Sequence, residues 1–282
     1  MRIQDSNAVK EFYERTAEEY DKGYETPYWR LYHEITWRNI KRFLPKGRNA
    51  VILDAGGGTG YWAIRLAKHG YRVVLTDISK NMLKVAEEKI RTVKLQDKIE
   101  TSIVDIRDMS CFESNHFDMA LAEGDPVSYC LDAEKAVREL ARVAKENAHV
   151  VASVDSKYAM IHRGLIPCLI EEKFSEQSIR RLLEFDKSGV EKRDFKFQSF
   201  TPEELKNLFE TCGLEAVRII GKPILTQLFT REERDEIITE NFRRILELES
   251  RFCDAPGLVG IGGHLEIVGI KHSMRKHQHR LH

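Results

Sequence analysis

The stretch Val51-Ile52-Leu53-Asp54-Ala55-Gly56-Gly57-Gly58-Thr59-Gly60 restricts the fold more than any other part of the chain. Val51, Ile52 and Leu53 read as a buried strand, and the glycines that follow admit positive φ and let another group approach the backbone closely. Residues 61–68 then carry helical spacing, so a strand passes through a glycine turn into a helix, the opening of an α/β unit. Gly56, Gly58 and Gly60 are spaced G-x-G-x-G, not the G-x-G-x-x-G that seats a dinucleotide pyrophosphate on a helix N-terminus. A cofactor without phosphates, held by an acidic residue and close glycine packing, suits this turn better.

The rhythm continues downstream. Strands are predicted over 72–76, 99–104, 117–122 and 149–154, and helices over 81–94, with Ser79 as N-cap, and 133–144. Strands alternating with helices imply a parallel sheet covered on both faces, which binds ligands beyond the carboxyl ends of its strands. Asp77 and Asp105 close the second and third strands at that rim. Asp77 stands where an acid meets ribose hydroxyls and repels a 2′-phosphate, and Asp105 is placed to hold an adenine amino group. Past Asp155 the pattern loosens into a mixed, mostly helical insertion over 158–200. A helix opened by Thr201-Pro202-Glu203-Glu204, a strand over 214–220, a long charged helix over 232–252 and a last strand over 265–270 follow. Upstream, residues 1–45 are aromatic and helical in pattern, and Leu44-Pro45-Lys46-Gly47 ends them.

These motifs resemble the class I S-adenosylmethionine-dependent methyltransferases. The likeness rests on Asp54-Ala55-Gly56-Gly57-Gly58-Thr59-Gly60, Thr76-Asp77-Ile78-Ser79-Lys80-Asn81-Met82, Val104-Asp105-Ile106-Arg107-Asp108, Phe117-Asp118-Met119-Ala120 and, later, Phe200-Thr201-Pro202-Glu203-Glu204-Leu205. The resemblance implies a Rossmann-like, doubly wound α/β fold with a seven-stranded, mostly parallel sheet, its last strand antiparallel, plus an N-terminal helical lid and helical insertions. It divides the chain into a lid (1–45), a cofactor core (46–156), an insertion and C-terminal part covering the acceptor (157–272) and a tail (273–282). It implies S-adenosylmethionine as cofactor: Gly56 and Gly58 around the methionine portion, Asp77 on the ribose, Ile78 and Met82 flanking the adenine, Asp105 on its amino group, and Ile106 counted with them. Residues 12–21 are similar to the lid helix of the small-molecule branch related to quinone-biosynthesis methyltransferases. Tyr13 and Tyr20 are its candidates to face the sulfonium, whose charge an aromatic ring attracts. Arg30 or Arg38 is a candidate partner for the cofactor carboxylate.

Methyl transfer from a sulfonium is an in-line displacement, so positioning does most of the work and a base is needed only where the nucleophile must lose a proton. The fourth-strand exit places Glu123 toward the cofactor and Asp125 or Tyr129 toward the acceptor, with His162 and His264 as possible bases. The expected reaction is transfer to a small-molecule acceptor. The alternatives are methylation of RNA or DNA, hinted at by Asp125-Pro126 and a basic tail, and cofactor binding without turnover. Composition weighs on this choice: 45 Lys+Arg against 45 Asp+Glu in 282 residues give zero formal net charge, which disfavours a broad nucleic-acid-coating field. No apolar run reaches the ~20 residues of a membrane helix, and the polar opening lacks a secretory stretch, so a cytoplasmic location is expected. The five cysteines are scattered, without metal-ligand spacing; no metal is expected, and oligomeric state is left open.

Overall fold

The computed structural model describes residues 6–47, 49–162, 176, 190–192 and 195–272. The expected strand-turn-helix is present as β1 (Val51–Ala55) and α3 (Tyr61–Lys68), preceded by α1 (Ser6–Thr16), a 3-10 turn (Tyr20–Glu25) and α2 (Pro27–Ile40). Then come β2 (Arg72–Asp77), α4 (Lys80–Thr92), β3 (Ile99–Ile103), β4 (Phe117–Ala122), the short α5 (Pro126–Tyr129), α6 (Ala133–Val143) and β5 (Ala144–Asp155). A small hairpin, β6 (Val190–Lys192) with β7 (Phe195–Phe197), precedes α7 (Pro202–Thr211), β8 (Leu214–Lys222), α8 (Arg231–Phe252) and β9 (His264–Lys271). Most of the predicted 158–200 insertion, Cys168 and the tail from 273 lie outside the described residues.

One seven-stranded sheet runs in the order β3-β2-β1-β4-β5-β9-β8. β1 pairs in parallel with β2 on one side and β4 on the other, and β9 runs antiparallel between β5 and β8. This is the predicted architecture. Chain order reverses between β1 and β4, so a crevice opens beyond their carboxyl ends. The glycine turn leaves one of these ends and residues 123–125 leave the other, which brings the two motifs together.

Local chemistry sets the element ends. Ser79 caps α4 by accepting from the Met82 N–H, and Thr201 closes a capping box with Glu204 at α7. β5 starts at Ala144, five residues before the predicted 149, because Lys145, Glu146 and Asn147 break the apolar run while Phe117 still pairs with Ala144 across a register shift. Backbone pairing extends that strand where side-chain burial does not. α2 stops at Ile40, ahead of the predicted Leu44-Pro45 break.

Each face of the sheet carries a core. Val137 and Leu140 of α6 and Leu205 and Phe209 of α7 pack on one face; Trp37 of α2, Trp62 and Leu66 of α3 and Leu83 of α4 pack on the other. Each such side chain, fully buried, contributes roughly 1.5–3 kcal/mol. Leu31 and Ile35 of α2 meet Ile238 and Leu246 of α8 beside Ile220 of β8, so the lid segment and the last third of the chain share a third cluster.

Candidate active site at the ends of strands one and four

The glycine turn is built for close approach. Gly56, Gly58 and Gly60 have φ of 66°, 56° and 80°, values that side chains other than glycine rarely adopt. Gly57 is constrained from behind: a Cβ there would lie 2.5 Å from Leu75 Cδ1 and 2.6 Å from Asp54 Cγ. Glycine at 57 thus makes room for the buried Asp54, whose carboxyl burial pushes up to about 7.

A cavity of about 420 Å³ lies against this turn. Gly56 and Gly58 line it together with Asp77, Ile78 and Met82 from the β2 exit and Asp105 and Ile106 from the β3 exit. The lid supplies Tyr13 and Tyr20, and the β4 exit supplies Glu123, Asp125 and Tyr129. The cavity thus gathers the residues expected to hold a cofactor, with two of those expected to face an acceptor. His264 stands behind Asp125, its Nδ1 2.8 Å from Asp125 Oδ2 and 3.9 Å from Asp155 Oδ1. His162 is exposed and is not among the lining residues. Arg30 lies over the Phe242 ring at 4.4 Å and Arg38 donates to Ser250 Oγ at 3.0 Å, so both face α8 and neither lines the cavity.

Asp77 anchors the floor. Its Oδ2 accepts from Gly58 N–H at 2.9 Å and its Oδ1 from Ser79 N–H at 2.8 Å, which ties the glycine turn to the start of α4. Burial pushes its carboxyl up to about 6 against the pull of these hydrogen bonds. Each carboxylate oxygen retains a further acceptor site, as a diol-binding carboxylate needs. Asp105 is clamped by Arg107, whose Nη2 lies 2.6 Å from Oδ2. Burial works to raise that carboxyl, but the Arg107 hydrogen bonds hold it below the ordinary range.

The N-terminal segment is fastened by residues that helical periodicity alone leaves unmarked. Glu14 accepts from Lys80 N–H at 2.8 Å and Asn81 N–H at 3.1 Å, while its own carbonyl accepts from Asn81 Nδ2. A carboxylate from α1 thereby caps α4 where the helix dipole favours negative charge. Asp21 adds a bond from Thr59 Oγ1 at 2.6 Å and an ion pair with Lys89 at 2.7 Å. Ring contacts continue the closure, Tyr13 to Tyr20 at 5.9 Å and to Tyr129 at 6.4 Å. Glu14→Ala should cost about 1 kcal/mol, the scale of a lost cap, and should weaken S-adenosylhomocysteine binding several-fold. Calorimetry, with hydrogen exchange of α1, measures both; unchanged exchange in α1 would show that the clasp does not hold the lid.

A buried charge cluster lies under the β4 exit. Lys222 Nζ, fully buried, contacts Glu123 Oε2 at 2.8 Å, Thr36 Oγ1 at 2.8 Å and Glu266, over the Tyr32 ring at 4.6 Å. Burial and the neighbouring Glu266 raise the Glu123 carboxyl to about 8 despite Lys222. Lys222 closes β8, a strand that also carries Glu215 and Arg218, so its charge alone does not mark it out in the sequence. Its partners, distant in the chain, were not visible. Among the described residues, Asp125, Asp155 and His264 also offer ligand atoms within 4.8 Å of one another.

Residues 52–147 match the family described as a methyltransferase domain. The demethylmenaquinone methyltransferase of Bacteroides fragilis is 31% identical over 154 residues, 52% of this chain and 59% of that protein. Relatives near this identity are thus spanned over about three fifths of their length, 60% and 59%. The tRNA 5-carboxymethoxyuridine methyltransferase of Escherichia coli is 21% identical over 262 residues, 90% of this chain and 94% of that one. Among solved structures, an S-adenosylmethionine-dependent methyltransferase of Thermotoga maritima superposes with a TM-score of 0.57 at 17% identity, covering 93% of this chain and 99% of that one. No helix among the described residues is long and apolar enough to cross a membrane. Sheet order, domain match and relatives together make this chain similar to the class I S-adenosylmethionine-dependent methyltransferases, with the methyltransferase-domain match confined to residues 52–147.

Proposed function

We propose that the protein transfers the methyl group of S-adenosylmethionine to a small-molecule acceptor. The observation that carries this reading is the cavity itself: it is walled by the glycine turn, the acids of three strand ends and the aromatic lid, and it lies under α1. The bound cofactor supplies an activated methyl on a sulfonium. In this reading Asp77 holds the ribose, Ile78, Met82 and Ile106 the adenine with Asp105 at its amino group, and Gly56 and Gly58 the methionine portion. Tyr13 and Tyr20 cover the sulfonium, with Glu123 beside it. Asp125 and Tyr129 orient the acceptor, and His264 holds Asp125 in place. His162, exposed in the described structure, has no role in this arrangement unless the acceptor reaches it.

The test is incubation with methyl-labelled cofactor and either a metabolite extract or total RNA. Label is expected in a low-mass product. Incorporation into RNA, with salt-sensitive RNA binding, would favour the second reading, for which the long match to the tRNA methyltransferase speaks. Absence of any labelled product while S-adenosylhomocysteine binds would leave a cofactor-binding protein without turnover.

A further inference from the structure

The charges that line the cavity are unequal. Arg107 is the only Lys or Arg among its described lining residues, and that side chain is spent on Asp105. His33 also lines it, but burial, Lys222 and Arg65 push its ring down to about 3, so it brings no charge at neutral pH. Against this stand Asp77, Glu123 and Asp125. Asp125 is 3% exposed, and while Oδ2 meets His264, Oδ1 has no hydrogen-bond partner among the described residues. A buried carboxylate oxygen left unpaired is costly, and one in the wall of a cavity is open to a ligand that can donate to it.

The backbone has been bent to put it there. Gly124 and Asp125 have φ of 90° and 67°, a pair of left-handed residues at the β4 exit, and both N–H groups donate to Ser153 Oγ, at 2.9 and 3.1 Å. Left-handed backbone at a residue with a side chain is held only where the surroundings over-determine it. Ser153, His264 and the α5 start supply that support. The carboxyl is also kept ionised: burial pushes it up, but His264, Lys222 and Ser153 outweigh this and hold it below its usual range. Glu123, by contrast, is raised to about 8 and is mostly neutral at pH 7. The persistent anion at this end of the cavity is therefore Asp125.

Aromatic faces complete the setting. Trp29 and Tyr32 line the cavity with rings 5.0 Å apart, and both also contact the His264 ring. Rings beside a carboxylate that has one oxygen unengaged attract a cation and tolerate an apolar stem. They give an acceptor carboxylate or phosphate nothing but repulsion.

From Asp125, its unpaired oxygen and this aromatic surround we infer that the methyl acceptor is an amine, seated with its nitrogen toward Asp125. The inference rests on the methyl-transfer reading above and narrows its substrate class. The acceptor arrives as an ammonium ion and releases one proton to water. The lone pair of the free amine then forms the N–C bond to the methyl carbon, while the C–S bond breaks and leaves its electron pair on sulfur. The sulfonium charge disappears and an N-methylammonium charge replaces it. Positive charge thus moves from sulfur to the nitrogen facing Asp125, so the carboxylate stabilises charge where it develops. Transfer to a hydroxyl or carboxylate would leave Asp125 facing no cation once the sulfonium is spent.

The full chain incubated with methyl-labelled S-adenosylmethionine and a metabolite extract should give a labelled product that a cation exchanger retains at pH 7 and that survives mild alkali. Label released by alkali as methanol, the mark of a methyl ester, or label that passes through as a neutral ether overturns the inference. With the acceptor so isolated, Asp125→Asn should raise its KM at least tenfold and leave the S-adenosylhomocysteine Kd within twofold; an unchanged KM overturns it. Should Asp125→Asn not fold, the wild-type complex with S-adenosylhomocysteine is titrated with 2-phenylethylamine, 2-phenylethanol and phenylacetate. Binding of the amine at least tenfold more tightly is expected, and equal or weaker binding than the alcohol overturns it. Activity abolished by a chelator and restored by Mg²⁺ also overturns it, because Asp125, Asp155 and His264 would then serve a metal. Failure to bind S-adenosylhomocysteine at all would count against the methyl-transfer reading instead, which keeps the two failures apart.

Discussion

Lys222→Met is expected to lower the stability of the protein by about 3–5 kcal/mol, the cost of removing one partner from a buried ion pair. Lys222, Glu123 and Glu266 are fully buried, and the lysine is the cation that both carboxylates share. Methionine matches the volume but, among the described residues, leaves Glu266 with Asn39 Nδ2 at 2.6 Å and Glu123 without a hydrogen bond. Two unpaired carboxyls so close cannot both stay ionised, so the variant takes up protons where the wild type does not. Its deficit should therefore be largest above pH 8, where Glu123 is ionised in the wild type, and should shrink as the pH falls and the carboxyls neutralise. Urea denaturation at pH 6 and pH 8.5 measures this. A loss under 1 kcal/mol at both would show that the cluster is not held by Lys222. Adding Glu266→Gln to the variant should restore part of the loss.

What the sequence could show of this protein follows from how local each determinant is. β1, the glycine turn and α3 are specified by about eighteen consecutive residues, because strand burial, positive φ and helix spacing all act between near neighbours. That Asp77 and Asp105 stand at the cavity was legible for the same reason: Asp77 ends β2 and Asp105 follows β3 by two residues, so the strand ends fix where both stand. The aromatic segment that brings Tyr13 and Tyr20 to the cavity wall was legible in its pattern, although the clasp that docks it was not, since Glu14 meets Lys80 and Asn81 across separations of 66 and 67 residues. The Lys222 cluster spans separations of 186, 99 and 44 residues and has no local pattern at all. His264 was proposed as a base on residue type alone. The fold sets it behind Asp125, outside the cavity lining, because β9 inserts antiparallel beside β5 and sets Asp155 opposite His264. His162, proposed on the same ground, comes to no such partner among the described residues. Strand order, which no single segment encodes, decides these outcomes.

Asp77→Ala is expected to weaken S-adenosylhomocysteine binding about 100-fold, the loss of two charge-assisted hydrogen bonds at roughly 1.5 kcal/mol each. The same carboxylate makes affinity depend on pH. Burial raises Asp77 to about 6 from the ordinary 3.8, so the folded protein without ligand binds that proton more tightly than the unfolded chain does. Stability contributed by this group is therefore highest below pH 4 and falls as the pH rises toward 6, a cost of about 3 kcal/mol at neutral pH. Asp54, raised to about 7 beside it, acts with the same sign. Binding runs the other way: only the ionised form accepts from two hydroxyls while retaining Gly58 and Ser79 N–H, so the Kd should rise about tenfold for each pH unit below 6. On the proposed ribose assignment the pocket keeps a carboxylate whose ionisation is unfavourable until the ligand meets it, and ligand binding should return part of that cost as added thermal stability. Calorimetric titrations between pH 5 and 7.5 on the wild type, Asp77→Asn and Asp77→Ala test the assignment. The wild-type Kd should follow this slope, whereas both variants should bind weakly and with little pH dependence. Full affinity in Asp77→Ala, or a flat wild-type profile, would remove Asp77 from the ribose site and shift the search to Asp105.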